Sequence, residues 1–163
     1  MSLLVAMALV LHMIEQMLPI PMITPGAKLG LANLITVLAL YTLTKKETFM
    51  VVILRSTMAA IFAGGASGWM YSMAGAILSF VVMCFVKEIG KDHVSMIGVS
   101  ASGAVFHNIG QLIVAVFVLQ NFGVMLYLPI LTVSGIGTGI FIGLTTHYTK
   151  THMDRLSFFR NRI

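Results

Sequence analysis

Long apolar runs separated by short polar or glycine- and proline-rich segments dominate the chain. Such runs predict membrane-spanning helices, because a helix satisfies its own backbone hydrogen bonds and about 20 apolar residues cross the hydrocarbon core. The predicted fold class is therefore an all-α integral membrane protein, a bundle of six transmembrane helices. We place the spans at Ser2 to Leu18, Leu29 to Thr44, Thr48 to Ala63, Trp69 to Val86, Val94 to Leu119 and Leu126 to Tyr148.

Basic residues predict how the bundle is oriented. Eight of the ten Lys and Arg lie in three segments: Lys45 and Lys46, Lys87 and Lys91, and Lys150, Arg155, Arg160 and Arg162. Cytoplasmic loops carry an excess of basic residues, so we expect these segments and both termini on the cytoplasmic side. Residues 1–149 are then a transmembrane domain and 150–163 a basic cytoplasmic tail. An interfacial helix and a disordered peptide both remain open for the tail.

Composition supports the membrane assignment and narrows the function. Charged residues make up 9% of the chain, whereas soluble domains carry about 25%. The net charge of +5 follows from the predicted topology, so it does not indicate nucleic-acid binding. The single cysteine, Cys84, excludes an internal disulfide.

Polar residues inside the predicted spans indicate a functional site. A buried ionisable group in a bilayer costs several kcal/mol unless it is paired or hydrated, so each needs a partner or a role. In the predicted orientation most of these residues lie in the outer half, with Arg55 beneath them. We therefore expect a polar cavity that opens outward. The polar residues are His12, Glu15, Gln16, Asn33, Arg55, His107, Asn108 and Gln111, and the expected aromatic rim is Trp69, Tyr71, Phe122 and Tyr127.

Specific roles follow from side-chain chemistry. Arg55 and Lys28 are predicted to bind anionic groups of a small solute, and Glu15 to supply a counter-charge. Ligand hydrogen bonds are assigned to Asn33, His107, Asn108 and Gln111, and stacking of a ligand ring to Trp69 or Tyr71. Structural alternatives remain open: a core His107, an Arg55–Glu15 ion pair, an Asn108 that bridges helices, and an interfacial Lys28.

Glycine spacing predicts how the last span packs. Gly135, Gly139 and Gly143 recur at every fourth residue and would form a groove along one helix face. A neighbouring backbone can approach closely along such a groove.

Several chemistries lack their usual sequence patterns. No phosphate-binding GxxxxGK[ST] segment occurs, so active transport would need ATP hydrolysis by another chain. The two aspartates, Asp92 and Asp154, cannot form the aspartate-rich cluster that holds Mg²⁺ in prenyl-elongating enzymes, so we expect no catalysis by this chain alone. No cofactor is predicted, and a metal site from His12, Glu15 and His107 lacks supporting spacing. A proton-coupled carrier that uses Glu15 and His107 remains open.

Four segments carry a family resemblance. They are PGAKLGLAN at 25–33, VVILRS around Arg55, YSMAGAILSF at 71–80 and GAVFHNIGQLIVA at 103–115. They resemble a bacterial membrane family known both as heptaprenyl diphosphate synthase component I and as Gx transporter. That family is similar to the substrate-binding S components of energy-coupling factor (ECF) transporters, which are six-helix bundles with an outward-facing site.

The resemblance implies two functions. The first is uptake of a small organic solute, such as a vitamin, cofactor or isoprenoid or quinone precursor, across the bacterial cytoplasmic membrane. It implies a membrane T subunit and two cytoplasmic ATPases as partners. Ser2 and Ala6 have the spacing of an S-component docking face, although a full AxxxA is missing. The alternative is an accessory subunit of a heptaprenyl diphosphate synthase.

Overall fold

The computed structural model describes residues 2–17 and 30–155, and every regular element in these two ranges is helical. The all-α prediction is confirmed, and each predicted span overlaps one of six α-helices. These are α1 (Ser2–Met17), α2 (Leu31–Thr42), α3 (Lys45–Ala59), α4 (Gly65–Gly90), α5 (Met96–Leu119) and α6 (Leu128–Arg155). A π-helix at Ala60–Gly64 joins α3 to α4, and 3₁₀-helices at Lys91–His93 and Phe122–Tyr127 precede α5 and α6.

Within residues 2–17 and 30–155, three helical segments are long and apolar enough to cross a membrane, as judged by length and composition. They are Gly68–Gly90, Met96–Leu119 and Phe122–Arg155. The apolar segments Ser2–Glu15 and Leu31–Thr42 are shorter. At 12 residues, α2 is about 18 Å long.

The second helix is shorter than the predicted span of Leu29 to Thr44, and its flanking residues explain why. Gly30 has a φ of 69°, in the left-handed region, and Leu43 is extended with φ −121° and ψ 170°. Neither conformation continues a right-handed helix. The structure therefore restricts α2 to Leu31–Thr42.

Several helix ends meet at one end of the bundle. The side chains of Lys45, at the start of α3, and Glu88, near the end of α4, form an ion pair. Lys87 Nζ donates a hydrogen bond of 2.6 Å to the Leu40 carbonyl near the end of α2. The positive charge of Lys150 in α6 also acts on the Lys87 ammonium group. We call the end that holds Lys45, Lys87 and Lys150 the basic end.

An apolar core lies between the basic end and the middle of the bundle. Val37 of α2, Val52 of α3, Phe80 of α4, Val99 of α5 and Ile142 of α6 belong to one buried cluster. Ile142 precedes Lys150 by eight residues, about 12 Å along the helix. The cluster therefore fills the half of the bundle that adjoins the basic end.

The α5–α6 contact is a close approach of two backbones at the glycines of α6. Gly135, Gly139 and Gly143 are all buried. A Cβ atom on Gly139 would lie 2.4 Å from Ala101 Cα, and one on Gly143 would lie 2.6 Å from Ile97 Cα. Real Cβ atoms essentially never come so close to another atom. These positions therefore require glycine for the observed packing.

Candidate ligand-binding site

A cavity of about 460 Å³ lies inside the bundle. Its size falls within the range of about 300–1,000 Å³ that is typical of small-molecule sites. Arg55, which lines the cavity, is ten residues from Lys45 and therefore about 15 Å from the basic end. Leu119, at the end of α5 away from the basic end, lines the cavity as well. The cavity therefore occupies the half of the bundle away from the basic end.

The cavity brings together most of the residues that the sequence singled out. Lys28 lies outside the described residues, and its predicted role stays a prediction. Seven of the nine predicted ligand-binding residues line the cavity: Glu15, Asn33, Arg55, Tyr71, His107, Asn108 and Gln111. His12 and Tyr127 line it as well. The predicted roles of these residues in ligand binding stay predictions.

Trp69 is not among the residues that line the cavity, and its predicted role in ring stacking stays a prediction. Its Nε1 donates a long hydrogen bond of 3.4 Å to Thr57 Oγ1 on α3. Tyr71, two residues further along α4, does line the cavity. Side chains two residues apart point in nearly opposite directions from a helix, so both cannot face the same cavity. Ser72 also lines the cavity and was missed.

The predicted aromatic rim is likewise incomplete, because Phe122 lies elsewhere. It is 81% exposed and lines a separate groove with Ile113 and Phe117. Its place at the start of the short helix Phe122–Tyr127 turns it outward, while Tyr127 at the other end of that helix reaches the cavity. Tyr71 and Tyr127 are therefore the aromatic side chains of the described wall.

Arg55 is the buried cation of the site, with 7% of its surface exposed. Its Nη2 donates a hydrogen bond of 2.8 Å to Asn33 Oδ1 on α2. Its Nε has no hydrogen-bond partner among the residues that the structure describes. The Glu15 carboxylate also interacts electrostatically with the guanidinium. Arg55 is thus held in place by a neutral amide and a nearby negative charge.

Glu15 connects the end of α1 to the start of α2. Its Oε1 accepts a hydrogen bond of 2.5 Å from the Gly30 backbone N–H, and Gly30 is the residue before α2. A carboxylate is favoured at this position by the positive end of the helix dipole. The Gly30 carbonyl in turn accepts a bond of 2.7 Å from the Asn33 backbone N–H. The same short segment therefore places both Glu15 and Asn33 beside Arg55.

On the opposite wall of the cavity, α5 contacts α6 on one side and α4 on the other. Asn108 Nδ2 donates a hydrogen bond of 2.8 Å to the Leu131 carbonyl of α6, so Asn108 bridges these helices while it lines the cavity. A Cβ atom on Gly75 of α4 would lie only 2.8 Å from the His107 carbonyl oxygen. This close contact between α4 and α5 fixes the position of His107 along the cavity wall.

The polar groups suit recognition of a ligand by hydrogen bonds and charge. In residues 2–17 and 30–155 no group of three His, Cys, Asp or Glu side chains could hold a metal ion. Asp92 belongs to the short helix Lys91–His93, and Asp154 is the second-last residue of α6. Both aspartates are therefore close in sequence to the basic end. The cavity gathers an arginine, a carboxylate, amides, imidazoles and hydroxyls between apolar walls.

The helices and the cavity define an all-α protein with membrane-type helices around an internal recess. Residues 4–149 match the family model described as heptaprenyl diphosphate synthase component I. Because the match covers most of the chain, the protein belongs to this family, and that part of the resemblance is confirmed. No curated protein and no solved structure shows significant similarity to the chain.

Proposed function

We propose that this protein is a membrane-embedded, ligand-binding subunit that acts as the accessory component of a heptaprenyl diphosphate synthase. The family match over residues 4–149 carries this proposal, since the family is described as component I of that enzyme. The description "component I" implies a second synthase component as partner. The proposed partner supplies the catalytic site, because this chain has only two aspartates and they are 62 positions apart, at 92 and 154.

We propose that all six α-helices lie in the bacterial cytoplasmic membrane with both termini in the cytoplasm. The three long apolar helices support membrane insertion, and the gathering of Lys45, Lys87 and Lys150 at one end supports the orientation. Helices shorter than the hydrocarbon core, such as α2, are accommodated by local thinning of the bilayer or by burial within the bundle.

Cysteine labelling in intact cells tests this orientation. In a Cys84→Ser background, Asn121→Cys should react with a membrane-impermeant maleimide, because residue 121 lies at the end away from the basic end. Lys46→Cys, next to Lys45, is the matched variant and should react only after the cells are permeabilised. Labelling with the opposite preference would contradict the proposed topology.

Co-expression tests the accessory role. The protein is co-expressed with a prenyltransferase subunit encoded in the same genome, and the chain length of the product formed from isopentenyl diphosphate is measured. We expect the two proteins to copurify and the product to be longer than that of the prenyltransferase alone. An unrelated six-helix membrane protein serves as the control. Failure to copurify together with an unchanged product length would contradict the accessory role.

A second candidate function, solute uptake as an S component, is favoured by the position of the cavity. In the proposed orientation, the half of the bundle that contains the cavity faces outward. Leu119 and Tyr127 line the cavity in this half. An outward-facing cavity suits the capture of a solute from outside the cell. This function requires a membrane T subunit and ATPases, so the protein should copurify with them from its own membrane. Uptake that needs neither ATP nor a second protein would instead favour a proton-coupled carrier.

A further inference from the structure

We infer that the cavity recognises an amphiphile with one anionic group, a carboxylate or a phosphate monoester, and a short apolar body. The inference rests on the proposed ligand-binding function and names the class of ligand that the site takes. The anionic group binds Arg55, and the apolar body lies against the aliphatic part of the wall formed by α5 and α6.

The state of the Arg55 side chain supports an anionic group. Arg55 is more than nine-tenths buried and faces the cavity. Its Nη2 is bonded to Asn33, but its Nε lacks a hydrogen-bond partner within the described part of the chain. A buried donor without a partner is costly, and a guanidinium is shaped to bind two oxygens of one carboxylate or phosphate. A ligand oxyanion would satisfy the Nε donor.

The charge around Arg55 limits the charge of the ligand. The Glu15 carboxylate already offsets part of the positive charge of Arg55. Glu15 is also fixed in place by the Gly30 backbone N–H, so it cannot swing away without releasing the start of α2. A diphosphate would bring several negative charges beside this carboxylate, and burying them without partners is strongly unfavourable. One anionic group is therefore the best match.

The rest of the wall supports an apolar body of limited length. Leu112, Ala115 and Leu119 line the cavity from α5, and Leu131 and Ile142 line it from α6. If a carbon group takes about the 30 Å³ of a water molecule, ten carbons need about 300 Å³. That volume fits the cavity of about 460 Å³. A complete heptaprenyl chain would need on the order of 1,000 Å³ and would extend out of it.

A series of ten-carbon prenyl compounds with different polar groups tests the inference. Geranic acid, geranyl monophosphate, geraniol and geranyl diphosphate are each added to the purified full chain, and the thermal midpoint is measured without any partner protein. The acid or the monophosphate should bind roughly ten- to hundredfold more tightly than the alcohol, as expected for a hydrogen bond to a charged group. Equal binding of the alcohol, stronger binding of the diphosphate, or binding of none of the four would overturn the inference.

Two substitutions with a matched control assign the effect to Arg55. Arg55→Gln should remove the preference for the acid over the alcohol, whereas Arg55→Lys should retain part of it. Arg155→Gln, the same change at an exposed residue near the end of α6, should leave the preference unchanged. A preference for the acid that survives in a folded Arg55→Gln protein would overturn the inference. If Arg55→Gln does not fold, the wild-type series still decides.

The outcome can be separated from that of the accessory role. The prenyl series contains no synthase partner, so the inferred ligand class stands or falls on binding alone. Intact binding of the acid, with neither copurification nor an effect on product length, would refute the accessory role and leave the ligand class in place. An effect on product length, combined with no preference for an anionic group, would refute the ligand class and leave the accessory role in place.

Discussion

Arg55 on α3 and Asn33 on α2 are joined by a hydrogen bond of 2.8 Å between Nη2 and Oδ1, although they lie 22 positions apart in the chain. Both side chains are buried and both line the cavity. Because the amide is neutral, it orients the guanidinium without cancelling its charge. The pair therefore keeps a cation available inside an otherwise largely apolar cavity.

Removing the Asn33 side chain should destabilise the protein. Asn33→Ala leaves a buried charged donor without its partner, which should lower the free energy of unfolding by about 1–3 kcal/mol. A double-mutant cycle with Arg55→Met, measured by thermal unfolding in detergent, isolates the interaction between the two residues. Additive effects of the two substitutions would show that the bond contributes nothing to stability.

The glycines of α6 provide a matched pair for testing the helix contact. Gly139→Ala would place a methyl group 2.4 Å from Ala101 Cα, whereas nothing lies within 4 Å of a Cβ atom at Gly137. We expect Gly139→Ala to lower the free energy of unfolding by roughly 1–3 kcal/mol, since α5 and α6 must separate to accept the methyl group. Gly137→Ala should cause no loss of stability in the same unfolding assay. Equal effects of the two variants would contradict the close backbone contact.

Tyr71 and Trp69 should differ in their effect on ligand binding. Tyr71 lines the cavity, while Trp69 contacts Thr57 on α3. Tyr71→Ala should therefore weaken ligand-induced thermal stabilisation, and Trp69→Ala should leave it unchanged. A larger effect from Trp69→Ala would show that the indole, and not the phenol, faces the ligand.

The start of α3 should contribute a pH-dependent term to stability. Glu47 accepts hydrogen bonds from the Thr44 backbone N–H at 2.9 Å and from the Thr44 hydroxyl at 2.8 Å, and these bonds hold the pKa of the Glu47 carboxyl below its ordinary 4.5. This contribution is fully present above the unfolded pKa and is lost as the pH falls through the lower folded pKa. Glu47→Gln should therefore lower the thermal midpoint at neutral pH.

The same comparison at low pH provides the control for this effect. As the pH falls below 4.5 and through the lowered pKa of Glu47, the difference between wild type and Glu47→Gln should shrink, because the wild-type carboxyl becomes protonated. A difference that stays constant across this range would assign the effect to packing and not to the charge of Glu47.

Hydrophobic patterning predicted the helices because the apolar runs are long and are separated by short polar or glycine- and proline-rich segments. The ends of α2 were not predictable from patterning alone. Leu29 and Leu43 are apolar and extend the run, whereas the left-handed backbone at Gly30 and the extended backbone at Leu43 end the helix. Glycine spacing in α6 indicated a close contact but not its partner, which is α5.

The cavity was predictable in its polar residues and less so in its aromatic ones. A buried Arg55 or Asn33 in an apolar run needs a partner, so its presence indicates a site. Trp69 and Tyr71 were both expected in the aromatic rim, and the sequence does not say which of the two side chains faces the cavity. That choice depends on the rotation of α4, which its contacts with α3 and α5 set. Ser72 was missed because a lone serine in an apolar helix is common.

Native mass spectrometry of the protein purified from its own membrane tests most directly whether the cavity holds a ligand. Ala115→Phe, which places a ring in the cavity from its α5 wall, provides the comparison. We predict that the wild-type protein retains a small molecule other than a bilayer phospholipid and that the Ala115→Phe variant does not. A wild-type protein that retains nothing, or a molecule that stays bound equally to the folded Ala115→Phe variant, would contradict a ligand-binding cavity.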